Sequence, residues 1–268
     1  MNLILGLAVA YLVVALLLWV FQERITFPAR RAALPDPTRV IATGERIELT
    51  MKDGTRLAGW YLPPVEDGQG PSWPGLLWFY GNGETIGAIW PVIRDFRPPG
   101  AALLVVDYPG YGASGGRTTE AGIYEAGALA YQSLASRPGV DPKRIYVYGR
   151  SLGSAVATRT AADFPAAGLI LESPFTSARE MAAHTYRIFP LFLVRLRLNN
   201  LETIRQVRCP VLVFHGTADR LAPMEMGRRV AAAAPGQAEF VMIEGAGHNE
   251  TYDRGGQRYR DKLAQFVR

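Results

Sequence analysis

A long apolar run opens the chain, and residues Leu3 to Phe21 carry no charge. As a helix this run spans roughly 28 Å, about the thickness of a bilayer core. Three alternatives fit less well. A cleaved signal peptide needs a basic segment and a small-residue cleavage site, a lipoprotein anchor needs a cysteine near position 20, and a buried core helix is rarely so long or so uniformly apolar. The pattern predicts a transmembrane anchor over residues 1–22.

The charges that flank this run differ on its two sides. No Lys or Arg precedes it, whereas Arg24, Arg30 and Arg31 follow it. The positive-inside rule therefore predicts a single-pass membrane protein whose larger, C-terminal part lies on the cytoplasmic side. Residues 23–43 contain three prolines, which predict an extended connector that lies against the following domain.

From residue 44 onward, short apolar runs alternate with helix-forming segments. The apolar runs predict strands at 45–51, 56–62, 75–80, 101–107, 144–148, 168–172, 211–214 and 239–243. The other segments predict helices at 119–136, 152–163, 223–234 and 257–267. This alternation is typical of an α/β fold, a mostly parallel central sheet covered by helices on both faces.

Composition agrees with one large α/β domain over residues 44–268. The 268-residue chain is 49% hydrophobic and 20% charged, which favours a globular core. Its one cysteine, Cys209, excludes a disulfide framework within the chain, and its position before a predicted strand suggests a buried small hydrophobe. The net charge of +5 comes with no nucleic-acid-binding motif and no metal-ligand cluster, so we predict no nucleic-acid partner, no metal and no cofactor.

The most informative motif is Gly149-Arg150-Ser151-Leu152-Gly153, a G-x-S-x-G pattern. The apolar run directly before it predicts a strand, and the segment directly after it predicts a helix. A serine on such a sharp turn is exposed, and the two glycines let the turn close tightly. We therefore predict that Ser151 is a nucleophile.

A serine nucleophile needs a base, and the chain has only three histidines. His248 follows the last predicted strand in a glycine-rich loop, at the sheet edge where a base is needed, although it could be an ordinary exposed loop histidine. His215 directly ends a strand and is expected to hold the following turn. His184 is expected to lie on the surface.

The base in turn needs an acid, for which Asp219 is the first candidate. It lies just past the strand 211–214, and the order Ser151, Asp219, His248 is the chain order of an α/β-hydrolase triad. Asp219 could instead form a turn. Glu172, at the end of another strand, is the reserve acid, whereas Asp107 is expected to organise its own turn.

Acyl transfer also needs two N–H groups aimed at the developing oxyanion. One is predicted to be the backbone N–H of Leu152, directly after the nucleophile. The other is assigned to the backbone N–H of Asn82 in the small loop 81–84, which could alternatively be a simple tight turn.

Together these motifs resemble the α/β-hydrolase superfamily of serine hydrolases, most of all its membrane-anchored abhydrolase-domain subgroup. The resemblance covers about residues 40–268, and the matching segments, in the order that the subgroup has them, are Gly81-Asn82, Asp107 to Ser114, Gly149 to Gly153, His215 to Asp219 and Gly245 to His248. One position departs, because Tyr80 stands where the family usually has a histidine that supports the oxyanion loop. The resemblance implies hydrolysis of esters, thioesters or more rarely amides, often of lipid-like acyl substrates.

Residues 175–208 lie between two predicted strands, where caps over the active site often enter, so we predict a small helical cap. It holds an apolar stretch at 188–194 and six arginines against two acidic residues. Two interpretations stay open: this surface lies on anionic lipid headgroups, or the cap packs inward with a solvated basic face.

The sequence thus predicts a membrane-tethered serine hydrolase that acts on a small-molecule or lipid-like acyl substrate. Two alternatives remain, a serine peptidase or amidase of the same fold and a non-catalytic binding module. Peptidases of this fold commonly carry an additional large domain, which 268 residues do not hold. The sequence makes no prediction about the oligomeric state.

Overall fold

Eight strands form one sheet in the part of the protein that the computed structural model describes, residues 2–65, 72–186 and 190–268. The strands are β1 Glu45–Thr50, β2 Arg56–Leu62, β3 Trp73–Phe79, β4 Ala102–Val106, β5 Val140–Arg150, β6 Gly168–Glu172, β7 Val211–Gly216 and β8 Ala238–Ile243. They lie in the order β1-β2-β4-β3-β5-β6-β7-β8. Strand β2 pairs antiparallel with β1 and β4, and the other neighbouring strands pair in parallel. The predicted mostly parallel sheet is confirmed.

Helices cover both faces of this sheet. The helices of the described residues are α1 Asn2–Val20, α2 Gln22–Thr26, α3 Ile86–Phe96, α4 Glu120–Ala135, α5 Leu152–Asp163, α6 Ala178–Thr185, α7 Asn200–Thr203, α8 Met224–Ala233 and α9 Thr251–Phe266, of which α1 stands apart from the sheet. A Cβ atom added to Gly149 of β5 would lie 2.5 Å from the Cβ atom of Ala157 in α5. The hydroxyl of the preceding residue, Tyr148, lies 3.2 Å from the hydroxyl of Tyr259 in α9. Because successive strand residues point to opposite faces, α5 and α9 lie on opposite sides of the sheet.

The core is built from strands that are buried on both faces. All residues of β4, β6 and β7 are buried, which explains why these strands are continuous apolar runs rather than alternating ones. Large aromatic side chains such as Trp78 and Phe214 are almost fully shielded from solvent. Each such side chain contributes about 1.5–3 kcal/mol through burial. This core holds the ends of the strands in a fixed relationship to one another.

Helix α3 was not predicted from the sequence. Gly87 and Pro91 lie inside it, and both residues disfavour a helix interior. The helix forms because its apolar residues recur at helical spacing and pack into the core, namely Ile86, Ile89, Ile93 and Phe96. Tertiary burial outweighs local propensity in this segment.

Two other elements begin earlier in the chain than the sequence indicates. Strand β5 begins at Val140, four residues before the predicted start, and its pairing with β3 shifts register between Trp73 and Gly75. Helix α9 begins at Thr251, and Gly256, with φ of 47°, kinks it just before the predicted start at residue 257.

The apolar helix α1 is the one helix, among the described residues, that is long and apolar enough to cross a membrane, and 6% of its apolar window is buried. The connector after it lies against the domain. Phe27 is buried, the Trp60 indole N–H donates to the Pro35 carbonyl at 3.1 Å, and Arg31 forms a β-bridge with Gly112.

The insertion at 175–208, called the cap below, contains in its described residues α6, α7 and two 3₁₀ turns, Leu191–Leu193 and Ile204–Gln206. Part of it packs inward, because Leu196 and Leu198 are buried and the Asn200 amide donates to the Ser154 hydroxyl at 2.8 Å. Phe192, by contrast, is 80% exposed. Residues 187–189, which include the start of the predicted apolar stretch, lie outside the described part of the chain.

Candidate active site

Ser151 occupies a sharp turn between the end of β5 and the start of α5. Its backbone has φ of 49° and ψ of −114°, a left-handed conformation that L-residues adopt only under constraint. Two close approaches explain the glycines around it. A Cβ atom at Gly149 would collide with the Gly153 carbonyl, and a Cβ atom at Gly153 would collide with the Phe79 carbonyl. The G-x-S-x-G pattern is therefore what this turn requires locally.

The structure brings Ser151, His248 and Asp219 together from loops that follow β5, β8 and β7. His248 Nε2 lies 2.9 Å from Ser151 Oγ, and His248 Nδ1 lies 2.7 Å from Asp219 Oδ2. The Asp219 side chain is fully buried, and that of His248 is 11% exposed. A hydroxyl, an imidazole and a carboxylate in this linear arrangement can transfer a proton away from the hydroxyl.

Asp219 is held as a charged acceptor. Its Oδ1 accepts backbone N–H groups from Leu221 at 3.0 Å and Ala222 at 2.9 Å. Burial alone would raise the pKa of Asp219, but hydrogen bonds from His215 and His248 outweigh it and hold the pKa well below its ordinary value. The carboxylate is thus available to orient an imidazole.

His215 contacts the candidate acid Asp219 in addition to holding the turn after β7, as the sequence predicts. Its Nε2 lies 2.8 Å from the Ala222 carbonyl, which agrees with a role in the turn, and 3.3 Å from Asp219 Oδ2. The ring is fully buried. His215, within β7, and His248, after β8, therefore contact the same carboxylate, and His215 is the fully buried one of the two. The exposed His184 lies elsewhere, with its Nε2 3.1 Å from the Arg220 carbonyl.

Tyr80, at the position where the resemblance leads one to expect a histidine, connects the end of β3 to the turn that follows β4. Its hydroxyl donates to Asp107 at 2.9 Å and accepts the backbone N–H of Tyr108 at 3.1 Å, while the Tyr108 hydroxyl donates to the Tyr80 carbonyl at 2.9 Å. Asp107 also accepts the N–H groups of Ile86 and Ala113. Burial raises the pKa of Asp107 despite these donors. Asp107 thus organises its turn, and Tyr80 holds this turn against the residue that precedes the loop 81–84.

Both side-chain polar groups of Asn82 have partners. The amide donates to the Thr26 carbonyl at 2.6 Å, and its oxygen accepts the Tyr111 hydroxyl at 2.6 Å. Within the described residues, the backbone N–H of Asn82 donates to no acceptor. The N–H of Leu152, at the first position of α5, has no intrahelical acceptor either, because a helix leaves its first N–H groups open. Both predicted oxyanion donors are therefore open in this structure.

Arg150 is a central residue that the sequence did not single out. Its guanidinium forms an ion pair with Glu84 and a second one, at 3.3 Å, with Glu172, and it donates to Asn249 Oδ1 at 2.5 Å. Burial alone would lower the pKa of Arg150, but the carboxylates of Glu172 and Glu84 outweigh it and keep the group charged. The one available signal was its position directly before the serine of the motif.

Glu172, the reserve acid, binds groups other than the candidate base. Its side chain is fully buried, and it accepts hydroxyl groups from Tyr148, Thr251 and Tyr259, in addition to its ion pair with Arg150. None of its hydrogen bonds within the described residues involves His248. Across the same described ranges, no group of three or more His, Cys, Asp or Glu side chains could hold a metal ion.

Several known proteins are similar to this chain in sequence or in fold. A sequence model of the family described as serine aminopeptidase, S33, matches residues 75–204. An uncharacterized protein of Mycobacterium tuberculosis is 33% identical over 255 residues, which is 95% of this chain and 90% of that protein. The α/β hydrolase domain-containing protein WAV2 of Arabidopsis thaliana is 30% identical over 276 residues, or 94% and 89% of the two chains. The structure of the Pyrococcus furiosus esterase Pf2001 superposes with a TM-score of 0.73 at 20% identity, covering 89% of this chain and 97% of the esterase.

Proposed function

Because the chain belongs to the α/β-hydrolase superfamily, we propose that it is a membrane-tethered serine hydrolase that cleaves carboxylic esters or thioesters. The observation that carries the proposal is the linear set of contacts from Ser151 Oγ through the His248 imidazole to the Asp219 carboxylate, at 2.9 and 2.7 Å. Ester hydrolysis is favoured because an esterase is among the structures with this fold.

The first half of the reaction forms an acyl-enzyme. Ser151 Oγ attacks the substrate carbonyl carbon while His248 Nε2 takes the hydroxyl proton, and the negative charge on the carbonyl oxygen is stabilised by the N–H groups of Leu152 and Asn82. When the tetrahedral intermediate collapses, the bond to the leaving group breaks, and His248 gives its proton to the departing oxygen or sulfur atom, which leaves as an alcohol or thiol. Asp219 holds the imidazole in orientation and stabilises its charged form.

The second half releases the acid. Water attacks the acyl carbon as His248 takes its proton, the Ser151 ester bond breaks, and the proton returns to Ser151 Oγ. The products are a carboxylic acid and the alcohol or thiol, and no redox step or cofactor enters the scheme.

Membrane tethering is supported by α1, an 18-residue window of which has a mean hydropathy of 2.8 and is mostly exposed in the isolated chain. The arginines that follow it, with none before it, favour a cytoplasmic catalytic domain. On this proposal, residues 1–22 form the anchor, 23–43 the connector and 44–268 the hydrolase domain.

The test uses detergent-solubilised full-length protein and p-nitrophenyl esters from acetate to palmitate, together with a fluorophosphonate probe. Ser151→Ala is expected to lose turnover on the order of a million-fold and to lose labelling without unfolding. Ser136→Ala, at an exposed serine, is the matched control. If Ser151→Ala keeps most of the activity or the label, the mechanism is wrong.

A second candidate is amide hydrolysis, which is favoured by the description of the matched family as a serine aminopeptidase. The same nucleophile would serve both reactions. Aminoacyl amides compared with esters of equal acyl length, using the same Ser151→Ala control, decide between them: a higher kcat/KM on the amides supports the peptidase.

A further inference from the structure

The short helix directly after the apolar helix is bonded into the cap. Gln22 donates its side-chain amide to the Leu193 carbonyl at 2.9 Å. The oxygen of the same amide accepts two backbone N–H groups of the cap, from Arg195 at 2.6 Å and Leu196 at 3.1 Å. One side chain thus satisfies three backbone groups of a segment more than 170 residues away.

The other end of this helix is bonded to the loop that carries one proposed oxyanion donor. The Thr26 carbonyl accepts the Asn82 side-chain amide at 2.6 Å. Farther along, the Arg30 carbonyl accepts the Gly112 N–H at 2.8 Å, and Arg31 donates to the carbonyls of the 112–116 turn. Residues 22–31 therefore form a brace that contacts the cap on one side and the oxyanion loop on the other.

The side chains around the brace have the character of a membrane interface. Phe192 is 80% exposed and Ile25 is 53% exposed. The Arg195 guanidinium lies over the ring of Trp19, 4.7 Å from its centroid, near the end of the apolar helix. Aromatic rings and arginines with apolar stems are the side chains that occupy the headgroup level of bilayers.

The covalent chain fixes how far the cap groups that bond to Gln22 lie from the end of α1. Gln22 follows the last residue of α1, Val20, by two positions, which is about 3 Å along a helix axis. Groups that hydrogen-bond to Gln22 must lie at the same level as the end of the span. With α1 in a bilayer, as proposed above, the Leu191–Leu193 turn and Arg195 are held near the bilayer surface by these hydrogen bonds as well as by the chain itself.

We infer that the brace holds the cap and the oxyanion loop in the anionic headgroup layer, so that the enzyme takes up esters or thioesters whose acyl chains lie in the bilayer. This inference rests on the proposed function for the anchor and for the hydrolysis. Beyond that function, the inference specifies which face of the protein contacts lipid and which residues fix the orientation of the domain. It also specifies that the substrate is embedded in the bilayer.

The first test measures contact with lipid and needs no activity. The full chain, with Phe192→Cys carrying an environment-sensitive fluorophore, is placed in phosphatidylcholine bilayers that contain a minor fraction of phosphatidylglycerol and spin-labelled lipid. The matched control is Val65→Cys, at a residue 59% exposed whose N–H bonds to Pro99, at the sheet edge opposite the site. The native Cys209 is buried. Quenching at position 192 but not at 65 supports the inference, whereas equal quenching at the two positions overturns it.

The second test compares an ester embedded in those bilayers with a soluble short-chain ester. Phe192→Glu and Gln22→Ala are expected to lower kcat/KM for the embedded ester about tenfold and to change it less than about twofold for the soluble ester. Val65→Glu and Gln257→Ala are the controls and should change neither. Equal losses on both substrates would mean that the contacts are merely structural. A wild type inactive on soluble esters would instead count against the proposed function, and the quenching result would still decide the lipid face.

Discussion

Buried Arg150 forms an ion pair with the partly exposed Glu84, and the pair joins the turn of the candidate nucleophile to the loop of the candidate oxyanion donor. The Arg150 side chain is only 6% exposed. Its second terminal nitrogen donates to Asn249, the neighbour of His248. One guanidinium thereby links three loops, and its rigid fork of donors suits that task better than a single ammonium group.

Removing this guanidinium is expected to destabilise the protein strongly. Arg150→Met leaves the fully buried Glu172 without its cationic partner, a change that costs about 3–5 kcal/mol. Arg150→Lys keeps the charge but loses the fork, so it should cost less while still lowering kcat. Urea unfolding measures the first effect. The control is Arg159→Met, in an exposed pair, expected to change stability by less than about 1 kcal/mol. An equal, small effect at both arginines would contradict this account.

The two glycines of the serine turn are expected to tolerate no side chain. Gly153→Ala would drive a methyl group into the Phe79 carbonyl, and Gly149→Ala would drive one into the Gly153 carbonyl. Both neighbours are backbone atoms that cannot rotate away, so we expect a loss above about 4 kcal/mol or insoluble protein. Thermal unfolding and soluble yield measure it. Gly100→Ala, where an added Cβ meets nothing within 4 Å, should behave as the wild type.

Tyr80→Phe is expected to reduce both stability and kcat. The change removes a hydroxyl that serves Asp107 and the N–H of Tyr108, and leaving such buried groups unpaired costs about 1–3 kcal/mol. The loop with Asn82 follows directly, so its placement should suffer. Tyr131→Phe, whose hydroxyl donates to the Pro165 carbonyl at 2.6 Å, is the matched control for kcat. Unchanged kcat in Tyr80→Phe would show that the hydroxyl does not support the loop.

The lowered pKa of Asp219 leads to a prediction about pH. Because the pKa is depressed in the folded protein, its contribution to stability is present above the unfolded value of about 4 and is lost as the pH falls through the folded value. Asp219→Asn should abolish this contribution. The difference in the free energy of unfolding between wild type and variant should therefore shrink between neutral pH and about pH 3. A difference that stays constant or grows on acidification would be inconsistent with a charged Asp219.

Asp219→Asn should also lower kcat by a factor on the order of 10⁴, because an amide favours the wrong imidazole tautomer. Rates on a soluble ester measure it at neutral pH. Asp163→Asn, in the exposed pair with Arg159, is the control. A small effect of Asp219→Asn on kcat would show that Asp219 is not the acid of the triad.

Cys209 is expected to resist alkylation in the folded protein. Burial raises the pKa of its thiol to about 11, so little thiolate exists near neutral pH. Reaction with a maleimide should be slow in the native state and fast in urea. Fast labelling of the native protein would mean that the segment before β7 opens readily. The fluorophore experiment at position 192 would then need the double variant Phe192→Cys/Cys209→Ser.

Several features follow from short stretches of sequence because their causes are local. The turn at Ser151 needs glycine two residues before and two residues after the serine. The strand before this turn and the helix after it follow from apolar runs and helix propensity. The order of strands and helices predicted an α/β fold with a mostly parallel sheet, and the observed sheet confirms it. Helix α3 escaped prediction because Gly87 and Pro91 contradict it locally, and only packing of its isoleucines against the core explains it.

The tertiary structure decided the rest, because it depends on the register of distant strands. Sequence order could single out Ser151, Asp219 and His248 but not the distances between them, which follow from how far each strand extends at one sheet edge. The partners of Arg150 come from loops 66 and 99 residues away. The brace at Gln22 likewise joins segments that no local pattern connects, since hydrogen bonds between distant backbone groups leave no periodic trace in a sequence.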